Sequence, residues 1–269
     1  MKLSNKLVLI TGAGSGIGRE MALQLVRSGS RVIGVDIRGE ALEETRALLD
    51  SGVAENFIPH ALDVTDRDAV KALPELLIAK YGELDCLINC AGMIQPFVRF
   101  AELDEAAMER VFNVNWFGTL YMTRAFLPHL LARPEAQLVN FGSMSSIAPL
   151  PGQAIYGASK AAVKLLTESL YAENMGSHLH VTLILPGAVS TDISKNSGLK
   201  LAGGSSGNKR PTDVATAEDA ARTIIEGIES NAYRVLVDKM VIDVDALYRQ
   251  DPRQATETIA SRFSGLLDG

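Results

Sequence analysis

The chain has 269 residues, 47% hydrophobic and 22% charged, enough for one large α/β domain or two small ones with a self-sufficient core. Its formal net charge is −6 and its longest run of Lys and Arg is the dipeptide Lys209-Arg210, so a surface that tracks a phosphate backbone is excluded and no nucleic-acid partner is expected. No apolar stretch approaches the roughly 20 residues of a membrane span. The polar residues 1–6, followed only by the short apolar run 7–10, do not read as a signal-peptide core, and a cytoplasmic protein is expected.

Taken in chain order, strand-like apolar runs at 7–11, 31–36, 56–62, 86–89, 137–142, 180–185 and 233–237 alternate with helical patterns. The helices are expected at about 16–28, 39–51, 66–81, 103–132, 154–175 and 217–230. Most of the runs are nearly continuous in apolar residues, which suits strands covered on both faces. Such alternation implies a Rossmann-type, doubly wound α/β fold: a mostly parallel sheet of about seven strands with helices on both faces. Neither an internal repeat nor a linker divides the chain, so residues 1–269 read as a single domain. Cys86 and Cys90 fall in one strand and its end, about 13 Å apart at roughly 3.3 Å per residue, too far for a disulfide.

Two segments stand outside the alternation. Residues 194–211, with Gly203-Gly204-Ser205-Ser206-Gly207, follow a strand end where open α/β sheets bind ligands, so a flexible substrate loop is expected at about 188–212. Further on, Asp251-Pro252 reads as a helix cap followed by proline at the first helical position. Ala255, Ile259, Phe263 and Leu266 then share one helical face in an extension of about 243–267. That face packs either on the domain or on a second subunit, and its weak basic content argues against a membrane-surface helix.

Chemistry enters at the first turn. Thr11-Gly12-Ala13-Gly14-Ser15-Gly16-Ile17-Gly18 joins the first strand to the first helix. Glycines there allow a tight turn and close approach of backbone to a ligand, while the helix start presents free amides to a pyrophosphate. Asp36 ends the next strand at the spacing of a carboxylate that binds the adenosine ribose hydroxyls. A carboxylate repels a 2′-phosphate, so NAD is expected over NADP; Arg38 could accommodate that phosphate but reads as a solvated charge.

Tyr156 and Lys160 lie at i and i+4 on one helix face, where an ammonium favours a phenolate and lowers the tyrosine pKa. Ser143 follows the strand 137–142 at the sheet's carboxyl edge. Together with the glycine turn, these residues resemble the short-chain dehydrogenase/reductase family, in its compact single-domain branch. The turn Thr11-Gly12-x3-Gly16-x-Gly18, the pair Asp63-Val64, the motif Asn89-Cys90-Ala91-Gly92, Asn115 within Asn113-Val114-Asn115, and Pro186-Gly187 with Thr191 all match. The resemblance is continuous from about residue 5 to 192 and looser to about 238. It departs at Cys90, where a second asparagine is common, and after Val237, where the glycine-rich ending of tetrameric members is replaced.

The resemblance implies an NAD(P)-dependent oxidoreductase that interconverts a secondary alcohol and a ketone by hydride transfer. Tyr156 would be the general acid or base, Lys160 would lower its pKa and bind the nicotinamide ribose, and Ser143 would bind the substrate oxygen. Asn115 would hold a water linking Lys160 to solvent. Cofactor contacts are implied for Gly12, Ser15, Gly16, Ile17, Gly18, Asp36, Asp63, Val64, Asn89, Cys90, Ala91, Gly92, Pro186, Gly187, Val189 and Thr191, besides Tyr156 and Lys160. A homo-oligomer, dimer or tetramer, is expected. The alternative from another class is a cofactor-binding sensor or scaffold without turnover.

No metal is expected, because His60, His129, His178 and His180 form no cluster with thiolates or carboxylates at ligand spacing. Met93, Ile94, Gln95, Ile147, Leu150, Val189, Ile193 and Leu199 lie near strand ends and read equally as pocket lining or as core. Their character points to an apolar alcohol or ketone rather than a highly charged substrate.

Overall fold

The apolar runs pair side by side because each is covered by helices above and below. β1 (Leu7–Thr11) leads into α1 (Gly16–Arg27), β2 (Arg31–Asp36), α2 (Gly39–Ala47), β3 (Phe57–Ala61) and α3 (Arg67–Tyr81). β4 (Cys86–Asn89), α4 (Glu105–Phe112), α5 (Thr119–Leu131), β5 (Ala136–Phe141), α6 (Ala154–Glu173) and β6 (Leu179–Leu185) follow. The chain continues through β7 (Val189–Ser190), α7 (Ile193–Asn196), β8 (Ala215–Thr216), α8 (Ala217–Glu229), β9 (Arg234–Leu236), α9 (Lys239–Gln250) and α10 (Pro252–Arg262). This computed structural model describes residues 1–191, 193–199 and 214–267.

Seven strands form one parallel sheet in the order β3-β2-β1-β4-β5-β6-β9. The order reverses between β1 and β4, and their register sets Thr11 beside Asn89 at the carboxyl edge. A crevice opens at such a reversal because the following helices leave to opposite faces. One apolar cluster, including Val8, Ile10, Met21, Leu25 and Ile224, fills the face under α1 and α8. Another, including Leu9, Ile33, Leu73, Leu87 and Phe126, fills the face under α3 and α5. The expected doubly wound fold is what forms.

The differences are local. The helix expected over 103–132 starts late and is broken by a π-helical turn at Asn113–Gly118. There the buried Asn115 exchanges hydrogen bonds of 2.9 Å with both backbone groups of Met93, and the extra residue in the turn accommodates that insertion. β7 and β8 form a separate two-stranded parallel pair, too short to leave a pattern in the sequence. Of the substrate loop expected at 188–212, residues 192 and 200–212 lie outside the described residues.

The C-terminal extension is a helical pair. Asp251 ends α9 and caps α10 by accepting from the Gln254 amide at 2.9 Å, with Pro252 in the first turn as expected. Ala255 and Ile259 are buried, and α10 packs on its own chain. Ile259 joins Met144, Leu183, Leu185, Met240, Val241 and Val244 in a third apolar cluster around the last residues of β6. Leu266 stays exposed. Among the described residues no helix is long and apolar enough to cross a membrane.

Candidate active site

The crevice at the β1–β4 reversal is a cavity of about 630 Å³. Its first wall is the glycine turn. Gly12 has φ of +73°, and a Cβ on it would stand 3.0 Å from the Ala91 Cα; one on Gly18 would stand 2.3 Å from the Gly12 carbonyl oxygen. Any side chain at either position would push β4's loop or α1 out of place. The Thr11 hydroxyl accepts from the Cys90 and Ala91 amides at 3.0 Å each and so ties the ends of β1 and β4 together. Ser15, at the cap of α1, makes no side-chain bond to the helix, so the first amides of α1 are left to face an anion.

Asp36 is held rigidly at the end of β2. One carboxylate oxygen accepts from the Gly14 amide at 3.1 Å and the other from the Arg38 amide at 3.0 Å. The Arg38 guanidinium stands 3.7 Å from the same carboxylate and donates to Asn196 on α7. Asn196 also donates to the Ser15 hydroxyl, and Ser197 accepts from the Ile94 amide, so the α7 segment is fastened over the glycine turn. Val64 lines the cavity, and the Asp63 carboxylate is turned onto the Thr65 amide and hydroxyl. A phosphate cradle, a fixed carboxylate and an apolar slot at Val64 fit a nicotinamide dinucleotide.

Of the site residues expected from sequence, all line this cavity except Asn89 and Asn115. Asn89 is buried in the sheet beside the cavity and donates to Asn140 at 2.8 Å and Thr123 at 3.0 Å. With Asn140 donating to Thr167, it knits β4 and β5 to α5 and α6, while its own Oδ1 is buried without a hydrogen-bond partner. The Cys90 thiol is pushed up to about 12 by burial and stays neutral.

Lys160 is buried, and its ammonium donates to the Phe141 carbonyl at 2.9 Å. Desolvation pushes it down to about 8. The expected lowering of the Tyr156 pKa by Lys160 is not found. Burial raises the phenol, and the neighbouring Ser143 hydroxyl opposes the rise. The Lys160 ammonium points at the Phe141 carbonyl rather than at the phenol's own hydrogen-bonding partners. Asn115 donates from its side chain to Met93 and, at 3.0 Å, to Ser159. A Cβ on Gly92 would lie 3.2 Å from Asn115 Oδ1 and 3.3 Å from Lys160 Nζ, so both side chains stand close against this glycine.

Beyond Tyr156 the cavity wall is apolar: Ile94, Phe97, Met144, Leu150, Met240 and Phe263. Of the residues that sequence left between pocket and core, Met93, Ile94, Leu150, Val189 and Ile193 line the cavity, whereas Ile147 packs in the third cluster. Gln95 is not in the lining: it is buried and bonded to the start of α6. Phe97, Met240 and Phe263 had no sequence signal as lining, because each reaches the cavity from an element placed only by tertiary packing. Among the described residues no cluster of His, Cys, Asp and Glu could hold a metal ion.

Comparison with known proteins agrees with this geometry. A family model described as short chain dehydrogenase matches residues 6–202. The 3-oxoacyl-(acyl-carrier-protein) reductase of Thermotoga maritima is 34% identical over 195 residues, which cover 72% of this chain and 78% of the relative. The crystal structure of a short chain dehydrogenase/reductase from Burkholderia phymatum in complex with NAD superposes with a TM-score of 0.82 at 26% identity, covering 94% of this chain and 96% of that one. A short chain dehydrogenase from Burkholderia cenocepacia in complex with NADP gives a TM-score of 0.78 at 25% identity, covering 98% and 99%. The chain belongs to the short-chain dehydrogenase/reductase family of oxidoreductases.

Proposed function

We propose that the protein is an NAD-dependent alcohol dehydrogenase or ketone reductase acting on a carbonyl compound with an apolar body, with Tyr156 as its general acid and base. The observation that carries this reading is that Ser143, Tyr156 and Lys160 line the same cavity as the glycine turn. A nicotinamide cofactor, when bound, supplies the hydride. Tyr156 delivers a proton to the substrate oxygen in reduction and removes it in oxidation. Ser143 donates to that oxygen as negative charge develops on it.

Lys160 supplies positive charge beside the site and holds the nicotinamide ribose. Asn115 and Lys160 both stand against Gly92, which supports a relay of the proton from solvent past these two side chains. Asp36, aimed by the Gly14 and Arg38 amides, favours the unphosphorylated ribose and so NAD. The apolar wall formed by Ile94, Phe97, Leu150, Met240 and Phe263 supports a neutral, hydrophobic substrate, and the relative named as a 3-oxoacyl reductase supports carbonyl chemistry.

The test is NAD reduction by wild type and Tyr156→Phe across a panel of apolar secondary alcohols, with thermal stabilisation by NAD measured in parallel. Turnover by wild type and its loss in Tyr156→Phe, with stabilisation kept, is expected. Stabilisation of wild type without turnover on any alcohol, or with the ketones and NADH, would overturn the reading in favour of a cofactor sensor.

A further inference from the structure

Helix α6 carries both Tyr156 and Lys160, yet its own cap residue does nothing for its first turn. Gln153 at the cap position makes no side-chain bond to the helix amides. The first amides of an α-helix have no partner within the helix, and buried donors left unmet are costly. Here the missing acceptor comes from the loop after β4. Gln95, fully buried, accepts through Oε1 from the Ile155 amide at 2.8 Å and from the Tyr156 amide at 3.0 Å. These are the second and third helical positions, the two that an ordinary cap residue serves.

The rest of the glutamine is engaged as well. Its Nε2 donates to the Gly152 carbonyl at 2.9 Å, and its backbone carbonyl accepts from Gln153 Nε2 at 2.8 Å. The other backbone group of Tyr156 is also held: its carbonyl accepts from the Ser159 hydroxyl at 2.7 Å, which in turn accepts from Asn115. Asn115 grips both backbone groups of Met93, two residues before Gln95. The β4 loop and the start of α6 are therefore bonded at two points, with the Tyr156 backbone between them.

We propose that Gln95 is a positioning residue for Tyr156: acting as a cap from a distant loop, it sets where the phenol stands relative to Ser143 and the bound substrate. This rests on the role proposed above for Tyr156. Reaction geometry is sensitive at this scale, since a misplacement of about 1 Å can lower a rate about 100-fold. A glutamine that merely fills the core would affect stability and leave the kinetics of the folded enzyme alone.

The experiment compares Gln95→Met, which keeps the length but removes every polar atom, with Gln95→Glu, which keeps the accepting oxygens. Burial and the Gly152 carbonyl favour the protonated acid, whose hydroxyl keeps the bond to that carbonyl while its other oxygen serves the amides. The readouts are kcat and the KM for NAD in alcohol oxidation, thermal stabilisation by NAD, and the titration of the Tyr156 phenol in protein carrying ¹³C-labelled tyrosine, its signal identified by its loss in Tyr156→Phe.

In Gln95→Met, kcat falls about 10- to 100-fold, the KM for NAD and the stabilisation by NAD stay within about twofold, and the phenol titrates higher as it moves away from the Ser143 hydroxyl. Gln95→Glu recovers most of kcat. Where Gln95→Met does not fold, Gln95→Asn, one methylene too short to reach the amides, is expected to show the same loss. Wild-type kcat and phenol titration in the capless variant would overturn the proposal, as would equal losses in Gln95→Met and Gln95→Glu. Activity retained in Tyr156→Phe would instead overturn the reading of Tyr156. If wild type turns over none of the alcohols, the phenol titration alone decides about Gln95.

Discussion

Asp238 accepts the Gly187 amide on one carboxylate oxygen at 2.8 Å, while its other oxygen caps α9 through the Val241 amide at 3.0 Å. One side chain thus anchors the Pro186-Gly187 segment of the cavity wall to the helical pair that ends the chain. A Cβ on Gly187 would lie 2.5 Å from the same carboxylate. Asp238→Ala should cost about 1–2 kcal/mol for the lost cap and weaken thermal stabilisation by NAD. Urea unfolding with and without NAD checks both, and a variant as stable and as well stabilised as wild type would refute the coupling.

Cofactor choice should turn on Asp36. Hydrogen bonds to a charged group contribute about 1.5–3 kcal/mol each, so Asp36→Ser should weaken NAD binding at least about tenfold. NADP binding should improve, because the carboxylate that repels a 2′-phosphate is gone while Arg38 remains. Isothermal titration with both cofactors reads the ratio directly. An unchanged preference would mean that Asp36 does not set it.

Lys160 carries a pH signature. Burial holds its pKa near about 8, against 10.5 as an ordinary lysine. Between those values the folded chain binds fewer protons at this site than the unfolded chain, so this group's contribution to stability rises with pH across the window. Lys160→Met removes the titration. The stability of wild type relative to Lys160→Met should therefore improve as pH climbs from below 8 toward 10.5, measured without cofactor. A difference independent of pH would show that the ammonium is not desolvated.

The helical pair should matter to substrate rather than cofactor. Phe263 lines the cavity from just beyond the end of α10, near Met240 at the start of α9. Phe263→Ala should raise the KM for an apolar alcohol several-fold, while the KM for NAD stays as it is. Removing a buried aromatic costs about 3 kcal/mol or more; Phe263 is only partly buried, so a smaller loss is expected. Steady-state kinetics with short and long apolar alcohols separate the two effects.

Much of this molecule was legible in sequence. Seven apolar runs became seven strands, with ends shifted by a residue or so, because burial on both faces of the inner strands is written in composition over four to seven neighbouring residues, and the half-buried edge strands β3 and β9 keep enough of it. The glycine turn and the Tyr156–Lys160 spacing were readable for the same reason: both are local geometry, set by a turn and by one helical pitch. The cap at Asp251 and the buried face of Ala255 and Ile259 belong to the same class.

What the tertiary structure decided lies between residues far apart in the chain. Gln95 meets the Tyr156 amide across 61 positions, and Asp238 meets Gly187 across 51. The break in the long helix at Asn115 depends on a loop backbone that only the folded sheet brings near. Even the partner of Lys160 is of this kind: helical pitch sets the ammonium near Tyr156, but the carbonyl at the end of β5 takes it. Periodicity reports which side of an element is buried, and it carries no record of what the element is buried against.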